Sequence, residues 1–362
     1  MAPSTHVWLL EQATPQDPEA LPDWMRARLT DPLVLPLPFA WLRALVALLL
    51  IRLRLAHHAD VLTALPGPSP ETGAVADLAR RLSRELGHRY AVQPVLRMGH
   101  PDAGSAAAGL QRGAQVVLLP LPLFGQDRRA LLGEARAALG ARGARLAEVH
   151  SLEQDPAVLD ALARGVRQAI LSLEPAGPGS SGPDAPDRDR PTVGVALSAR
   201  PYEVLFCGVA RGAESVDALE ALRAALVRRL RLNRRDHLLH LQPFGLGRGP
   251  LAGAEPVLSA LAGAPAVVVV PLGPLTTHAD VEGVLGGALV DALRQRGVGR
   301  VVLARPPAGC SSLSYALAER VRAAERGMEW EVPEDRVQAD VQAELERRGA
   351  RQLPRAAAEP RP

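Results

Sequence analysis

The chain has few cysteines, few aromatic residues and no long uninterrupted apolar run. Cys207 and Cys310 are its only cysteines, which excludes a disulfide framework and any zinc or iron–sulfur site built from four protein cysteines. Aromatic residues make up 3% of the 362 residues, so the core must consist mainly of leucine, valine and alanine. Two cysteines fit a reducing compartment, and we expect a cytoplasmic protein. We also expect no permanently bound cofactor.

The longest strongly apolar stretch is too short to span a membrane. It runs over Phe39–Ile51, is interrupted by Arg43, and is closed by Arg52 and Arg54. A spanning helix needs roughly 20 apolar residues, so this stretch predicts a buried or interfacial helix. The N-terminus has no basic segment followed by a long apolar run, and no signal peptide is expected.

Charge and size restrict the class of protein. The net charge is +3, from 42 basic and 39 acidic residues, and there is no basic stripe with interleaved aromatic residues. This pattern argues against nucleic-acid binding. The hydrophobic share of 47% is sufficient for a folded chain, and the length is sufficient for two domains with a core each. The sequence leaves the oligomeric state open.

A segment rich in proline, glycine and serine, residues 174–192, divides the chain and predicts a flexible linker. On both sides of it, short apolar strands alternate with helical patterns, which is typical of parallel sheets covered by helices on both faces. We predict an α/β protein of two doubly wound, Rossmann-like lobes with a cleft between them. Residues 1–173 form the N-terminal lobe, 193–335 the C-terminal lobe, and 336–362 a C-terminal helix or disordered tail. The predicted strands are His6–Leu10, Ala91–Leu96, Gln115–Leu119, Ala144–Val149, Thr192–Leu197, His237–Leu241, Ala266–Val270 and Arg300–Ala304.

Ligands of such proteins bind beyond the carboxyl ends of the strands, so the residues after each strand are the candidates for a site. The richest strand end follows Ala266–Val270, where Thr276, Thr277, His278 and Asp280 precede a predicted helix. Imidazole and carboxylate side chains suit a divalent transition metal, and they also suit proton transfer near neutral pH. The alternative is that Asp280 caps the helix and His278 points to solvent.

Three other motifs give weaker indications. The glycine-rich segment Gly245–Gly249 is closed by Pro250 and is not followed by the start of a helix, so it does not fit a phosphate loop. Cys310 has no histidine after it in the chain that could act as its base. His57 and His58 are adjacent in a predicted helix and therefore point about 100° apart, which does not suit a shared metal.

At its strand ends the sequence resembles the ferrochelatase family, in an order that runs from about residue 7 to about residue 325. Ala13-Thr14-Pro15 stands where the family has Gly-Thr-Pro, and Arg97-Met98-Gly99-His100-Pro101 is similar to its Arg-Tyr-Gly-x-Pro. Val269–Gly273 followed by Thr277–Asp280 is similar to the family's Val-Pro-x-Gly-Phe-x-x-Asp-His-x-Glu. Shorter resemblances lie at Leu29–Val34, Gly67–Pro70, Leu119–Leu121 and Leu241–Gly245.

The resemblance implies a porphyrin held between the lobes and the insertion of ferrous iron into it during haem biosynthesis. The macrocycle would be protoporphyrin IX or coproporphyrin III, and iron would be a substrate, with no iron–sulfur cluster. His278 and Asp280 would be the catalytic and metal-binding residues. The residues assigned to substrate contacts are Arg97, Arg200, Gln12 and Met98.

One segment, Leu33–Leu55, stands in the place of the family's apolar lip over the cleft. The resemblance predicts that it is helical and exposes leucines and Trp41 at the cleft mouth. It also predicts a weak peripheral contact with a membrane.

Two departures from the family leave alternatives open. The family's Ser-Ala-His motif reads Ser198-Ala199-Arg200 here, and arginine stays protonated and cannot act as a base. Arg200 would instead pair with a carboxylate of the macrocycle. The family's glutamate is the shorter Asp280. The alternative to a working chelatase is a degenerate homologue that binds porphyrin or haem without inserting metal. A cobalt chelatase would share the fold, but its usual His-Gly near the first strand is absent.

Overall fold

The computed structural model describes residues 5–13, 18–30, 35, 37–63, 70–173, 201–209, 213–232, 235–241, 251, 253–277 and 280–327. Within these residues eight strands form two four-stranded parallel sheets. The strands are β1 (Thr5–Gln12), β2 (Tyr90–Arg97), β3 (Gln115–Pro120), β4 (Arg145–Glu148), β5 (Glu203–Val209), β6 (Asp236–Leu241), β7 (Val267–Leu272) and β8 (Val301–Leu303).

Helices connect the strands and cover the sheets. The α-helices are α1 (Leu21–Thr30), α2 (Ala40–Thr63), α3 (Pro70–Leu86), α4 (Ala103–Ala108), α5 (Gly125–Gly140), α6 (Pro156–Leu171), α7 (Ala213–Leu230), α8 (Glu255–Ala260), α9 (Val290–Gln295) and α10 (Ser311–Glu325). A π-helical segment, Asp280–Leu289, precedes α9 directly. Short 3₁₀ turns lie at Pro18–Ala20, Leu152–Gln154 and Pro307–Gly309.

Both sheets are doubly wound. The strand order is β2-β1-β3-β4 in the first sheet and β6-β5-β7-β8 in the second, and neighbouring strands are parallel throughout. The chain therefore reverses its winding direction between β1 and β3, and again between β5 and β7. In sheets of this kind ligands bind at the carboxyl ends of the strands beside the reversal. The predicted fold class, two doubly wound parallel-sheet lobes, is confirmed.

The second sheet has a central strand that the sequence patterns did not predict. The strand predicted at Thr192–Leu197 and the linker predicted at 174–192 lie outside the described residues. The strand beside the reversal is β5, whose sequence Glu-Val-Leu-Phe-Cys-Gly-Val is buried from Val204 to Gly208. Arg200 therefore lies three residues before the amino end of β5.

The helix predicted to follow Asp280 divides into two kinds of helix. Its first part, Asp280–Leu289, is π-helical, and its second part is α9. Gly286 and Gly287 lie inside the first part and lower its preference for the α-helical conformation. π-helical turns are rare, and those that occur are frequently at functional sites. This one begins three residues after Thr277, at the carboxyl end of β7.

The two sheets share one hydrophobic core. Val7 and Leu9 of β1 and Phe206 of β5 belong to the same cluster of buried side chains, which also includes residues of α3, α6, α7 and α10. Although α10 follows the second sheet in the chain, it packs against α3 and α6. Arg322 Nη2 donates to the backbone oxygen of Glu85 at the end of α3, at 2.6 Å. The last described helix therefore fastens the second half of the chain to the first.

Helix α2 lies over α1 and exposes an apolar surface. It buries Ala47 and Ile51 against α1. Arg43 donates to the backbone oxygens of Thr30 and Leu37, at 3.1 and 2.6 Å. The large side chains that remain more than half exposed are Phe39, Trp41, Leu45, Leu48, Leu49 and Leu53. None of the described helices is both long and apolar enough to cross a membrane.

Candidate functional site

The carboxyl ends of the two sheets meet directly. Pro122, just after β3, forms an antiparallel bridge with Pro274, just after β7. The backbone N–H of Leu123 donates to the carbonyl of Gly273 at 3.1 Å. We call the residues at this contact, Glu11, Pro122–Phe124 and Gly273–Thr276, the strand-end junction. It places the chain after β7, which leads to His278, beside the ends of β1 and β3.

Gly273 makes the close contact at this junction possible. Its φ angle is +106°, a left-handed value that residues with a side chain rarely adopt. A Cβ atom at this position would lie 3.2 Å from the ring of Phe124. The glycine therefore allows the chain after β7 to turn against the first sheet.

A buried arginine supports the junction from the side of the first sheet. Arg128 of α5 donates to the backbone oxygens of Leu123 and Val149, at 2.9 and 3.1 Å. Burial lowers the pKa of Arg128, while the nearby carboxylates of Glu153 and Glu148 act in the opposite direction. The guanidinium stays charged in the neutral range, because an unperturbed arginine titrates far above it. Arg128 thus joins the turn after β3 to the backbone at Val149, which follows β4.

The junction contains a buried carboxylate, that of Glu11, to which the sequence analysis assigned no role. Glu11 is 4% exposed, and Oε2 of its carboxylate accepts a hydrogen bond from the hydroxyl of Thr276 at 2.7 Å. Its Oε1 accepts from the backbone N–H of Gln12 at 2.9 Å. Glu11 shares its face of β1 with Val7 and Leu9, and this face points into the core shared by the two sheets.

Two of the predicted substrate residues are neighbours, but they lie on the other face of the first sheet. Gln12 and Arg97 are register partners at the ends of β1 and β2. Arg97 Nε donates to Glu134 Oε1 of α5 at 2.6 Å, and the Arg97 side chain is 9% exposed. The buried Gln12 Nε2 finds no hydrogen-bond partner in the described part of the chain. The Gln12 amide and the Arg97 guanidinium can both donate hydrogen bonds to the carboxylate of a ligand. Because Arg97 already binds Glu134, the ligand carboxylate and Glu134 would share its guanidinium.

The third predicted contact residue, Met98, lies under the covering helices. Its φ angle is +60°, and its side chain packs against the cluster that α1 and α2 form, which includes Met25 and Ile51. The next residue, Gly99, is held so tightly that a Cβ atom there would lie 2.8 Å from the Cβ of Ala13. The turn after β2 thus packs on the end of β1 and joins the covering helices to the site.

The remaining predicted site residues fall outside what the structure describes. His278 and Arg200 are not among the described residues, and of Asp280 only the backbone, at the start of the π-helical segment, is described. Within the described ranges, no three histidine, cysteine, aspartate or glutamate side chains come together as a metal site.

Comparison with known proteins gives one family match and similarities to solved structures. Residues 5–179 match the family model described as Ferrochelatase. A search of curated proteins finds no match. The chain is similar to CbiX, described as the terminal enzyme for biosynthesis of siroheme in denitrifying bacteria, with a TM-score of 0.45 and 14% identity over 89% of this chain and 99% of that one. It is also similar to DR2241 from Deinococcus radiodurans, a multi-domain protein described as similar to chelatases, with a TM-score of 0.42 and 18% identity over 70% of this chain and 50% of that one.

The family match confirms the resemblance predicted from the strand ends. It runs from β1 to beyond the end of α6, so it covers the whole first sheet together with Glu11, Gln12, Arg97 and Met98. It ends before β5, and the residues after β7 lie beyond it. The assignment of His278 and Asp280 therefore depends on the predicted motif and on the position of that motif at the strand-end junction.

Proposed function

We propose, from the membership of residues 5–179 in the ferrochelatase family, that this chain inserts ferrous iron into a porphyrin. The macrocycle would be protoporphyrin IX or coproporphyrin III, and the reaction would be a late step of haem biosynthesis in the cytoplasm. The observation that carries the proposal is the strand-end junction, where the loop leading to His278 and Asp280 contacts the family-matched sheet.

The reaction sets clear chemical requirements. Two pyrrole N–H protons must leave the macrocycle, and the incoming iron must exchange its water for protein ligands before it binds the ring nitrogens. We assign both tasks to His278 and Asp280, because imidazole and carboxylate bind divalent transition metals and also accept protons near neutral pH. Iron acts here as a substrate, not as a resident cofactor.

Recognition of the macrocycle is assigned to the ends of β1 and β2. Porphyrins of this pathway carry carboxylate side chains. The guanidinium of Arg97 and the side-chain amide of Gln12, whose Nε2 has no partner among the described residues, can donate hydrogen bonds to such a carboxylate. Met98 contributes apolar surface under α1 and α2. Arg200 remains a candidate for a second carboxylate contact.

An anaerobic titration of the purified protein tests the proposal. Protoporphyrin or coproporphyrin is added first, then ferrous or zinc ion, while the Soret and visible bands are recorded. We expect the free-base bands to be replaced by metalloporphyrin bands faster than in a protein-free control. A shift on porphyrin addition without insertion would instead identify a degenerate homologue that binds porphyrin, and no change in either step would reject both functions.

We further propose that the exposed apolar surface of α2 makes a weak contact with membranes, from which a porphyrin could be drawn. Trp41, Leu45, Leu49 and Leu53 recur every four residues and therefore form one stripe along the helix. Arg52 is exposed beside this stripe, which suits an anionic lipid surface.

Flotation with liposomes that contain anionic lipid tests this contact. We expect replacement of Leu45, Leu49 and Leu53 by glutamate to lower the floated fraction by about fivefold, because interfacial binding scales with the apolar area that is buried. Leu171→Glu is the matched control, since Leu171 is 49% exposed on α6, away from α2. Recovery of the unaltered protein in the soluble fraction alone would contradict the proposal.

A further inference from the structure

The buried carboxylate of Glu11 has no role in the reaction as described so far. We propose that Glu11 is a positioning residue: it holds Thr276, and through Thr276 it fixes the loop that leads to His278 and Asp280. This inference rests on the proposed function for the meaning of the loop. The contact that carries it is visible in the described residues alone.

The environment of Glu11 shows that its contact with Thr276 is specific. Glu11 is 4% exposed and Thr276 is fully buried, so water cannot replace either partner. Burial of a carboxylate is unfavourable unless donors reach it, and here a hydroxyl at 2.7 Å and a backbone N–H at 2.9 Å do so.

The contact joins distant parts of the chain at the point where they matter for the site. Glu11 ends the buried part of β1, and Thr276 follows β7, 265 residues later. Pro274 is bridged to Pro122, and Leu275 is fully buried in the shared core. Thr276 is therefore the last of three consecutive anchored residues.

His278 is close enough to this anchor to depend on it. Two residues of extended chain span at most about 7 Å, so the backbone of His278 cannot lie farther than that from Thr276. Thr277, between them, is only half-buried. Loss of the Glu11 contact would therefore release the loop directly before the predicted ligands, while Pro274 and Leu275 keep β7 in place.

The chain offers a matched control at the other end of the same strand. Thr5, also fully buried, donates through its hydroxyl to Glu325 Oε1 at the same distance of 2.7 Å. This pair lies at the amino end of β1, whereas the junction lies at the carboxyl end of the same strand. Thr5→Val and Thr276→Val thus remove equivalent threonine–glutamate hydrogen bonds, and only the second lies beside the loop.

Hydrogen exchange of the full chain, followed by mass spectrometry, tests the inference without any assay of activity. In Thr276→Val we expect amide exchange in the peptide covering residues 273–289 to be faster by about tenfold, which corresponds to the loss of one buried hydrogen bond. Thr5→Val should leave this peptide unchanged. Thr276→Ser, which keeps the hydroxyl, should restore slow exchange, and Glu11→Gln provides a second variant should Thr276→Val not fold.

The kinetic readout connects the loop to the reaction. If the unaltered protein inserts metal, Thr276→Val should lower kcat by about tenfold with little change in KM for porphyrin, and Thr5→Val should leave both within about twofold. If it inserts none, the proposed function fails, and the exchange data still decide the positioning role. Exchange of the 273–289 peptide that is unaltered in Thr276→Val, or equally accelerated in Thr5→Val, would overturn the inference.

Discussion

Replacement of Asp280 by alanine should lower the rate of metal insertion by at least about a hundredfold. Removal of a proton acceptor from a reacting group typically lowers a rate by a factor of about 10² to 10⁴, and Asp280 is assigned both proton removal and metal binding. The measurement is the initial rate of metalloporphyrin formation under anaerobic conditions, with ferrous or zinc ion at saturating porphyrin.

A second substitution separates catalysis from helix capping. Asp280 begins the π-helical segment, so its alternative role is that of a cap, which contributes about 1 kcal/mol to stability. Asparagine caps a helix as well as aspartate does, but it does not take up a proton near neutral pH. We therefore expect Asp280→Asn to be as inactive as Asp280→Ala and to unfold at the same temperature as the unaltered protein.

The matched control for both substitutions is Asp291→Ala in α9. Asp291 is 65% exposed and forms a surface ion pair with Arg294 at 3.6 Å, so its removal should leave the rate within about twofold. An unchanged rate in Asp280→Ala would discard the site assignment. Full activity in Asp280→Asn would show that Asp280 is a cap alone.

The alternation of strands and helices could be predicted because each element has a strong local pattern. β7 consists of six buried residues that include a run of four valines, and α6 begins at a proline behind an aspartate cap, Asp155. β5 was missed for an equally local reason. The segment Val193–Leu197 is also apolar and directly precedes the Ser-Ala-Arg motif, so the pattern placed a strand there, in residues that the structure does not describe. β5 is identified by its pairing with β6 and β7, which a local pattern does not contain.

The candidate site could be predicted in location but not in its contacts. Strand ends are visible in the sequence, and Arg97, Gln12 and the loop after β7 were singled out on that basis. Glu11 was not, because a glutamate at the end of an apolar strand is usually the first residue of a solvated turn. Its burial depends on Thr276, 265 residues away, and on the contact between the two sheets. The available signal was the alternation of β1, which places Glu11 on the same face as Val7 and Leu9.

A second large effect is expected at Glu325, the carboxylate that fastens the end of α10 to the first sheet. Its side chain is 9% exposed and accepts from Thr5 at 2.7 Å, Tyr90 at 2.6 Å and Arg89 at 3.0 Å. Glu325→Ala leaves the two buried hydroxyls without their acceptor, so we expect it to reduce the free energy of unfolding by about 2–4 kcal/mol. For a chain of this size the melting temperature should fall by roughly 3–5 °C. Glu319→Ala, which removes an exposed carboxylate of the same helix, should change it by less than about 2 °C.

The stabilisation by Glu325 should also depend on pH. Partial burial by itself would raise the pKa of Glu325, but the hydrogen bonds from Tyr90 and Thr5 and the charge of Arg89 outweigh it and hold the pKa below its ordinary value of 4.5. The pKa of Tyr90 is raised, first by burial and then by the same hydrogen bond, so its hydroxyl stays protonated and remains a donor.

Since the folded state lowers the pKa of Glu325, the stabilisation by Glu325 is complete above about pH 4.5 and is lost as the pH falls through the folded-state pKa. Urea unfolding of the unaltered protein and of Glu325→Gln should therefore differ most near pH 7 and converge in acid. A difference that stays constant from pH 7 to about pH 3 would show that the charge of Glu325 contributes nothing and that only the shape of its side chain matters.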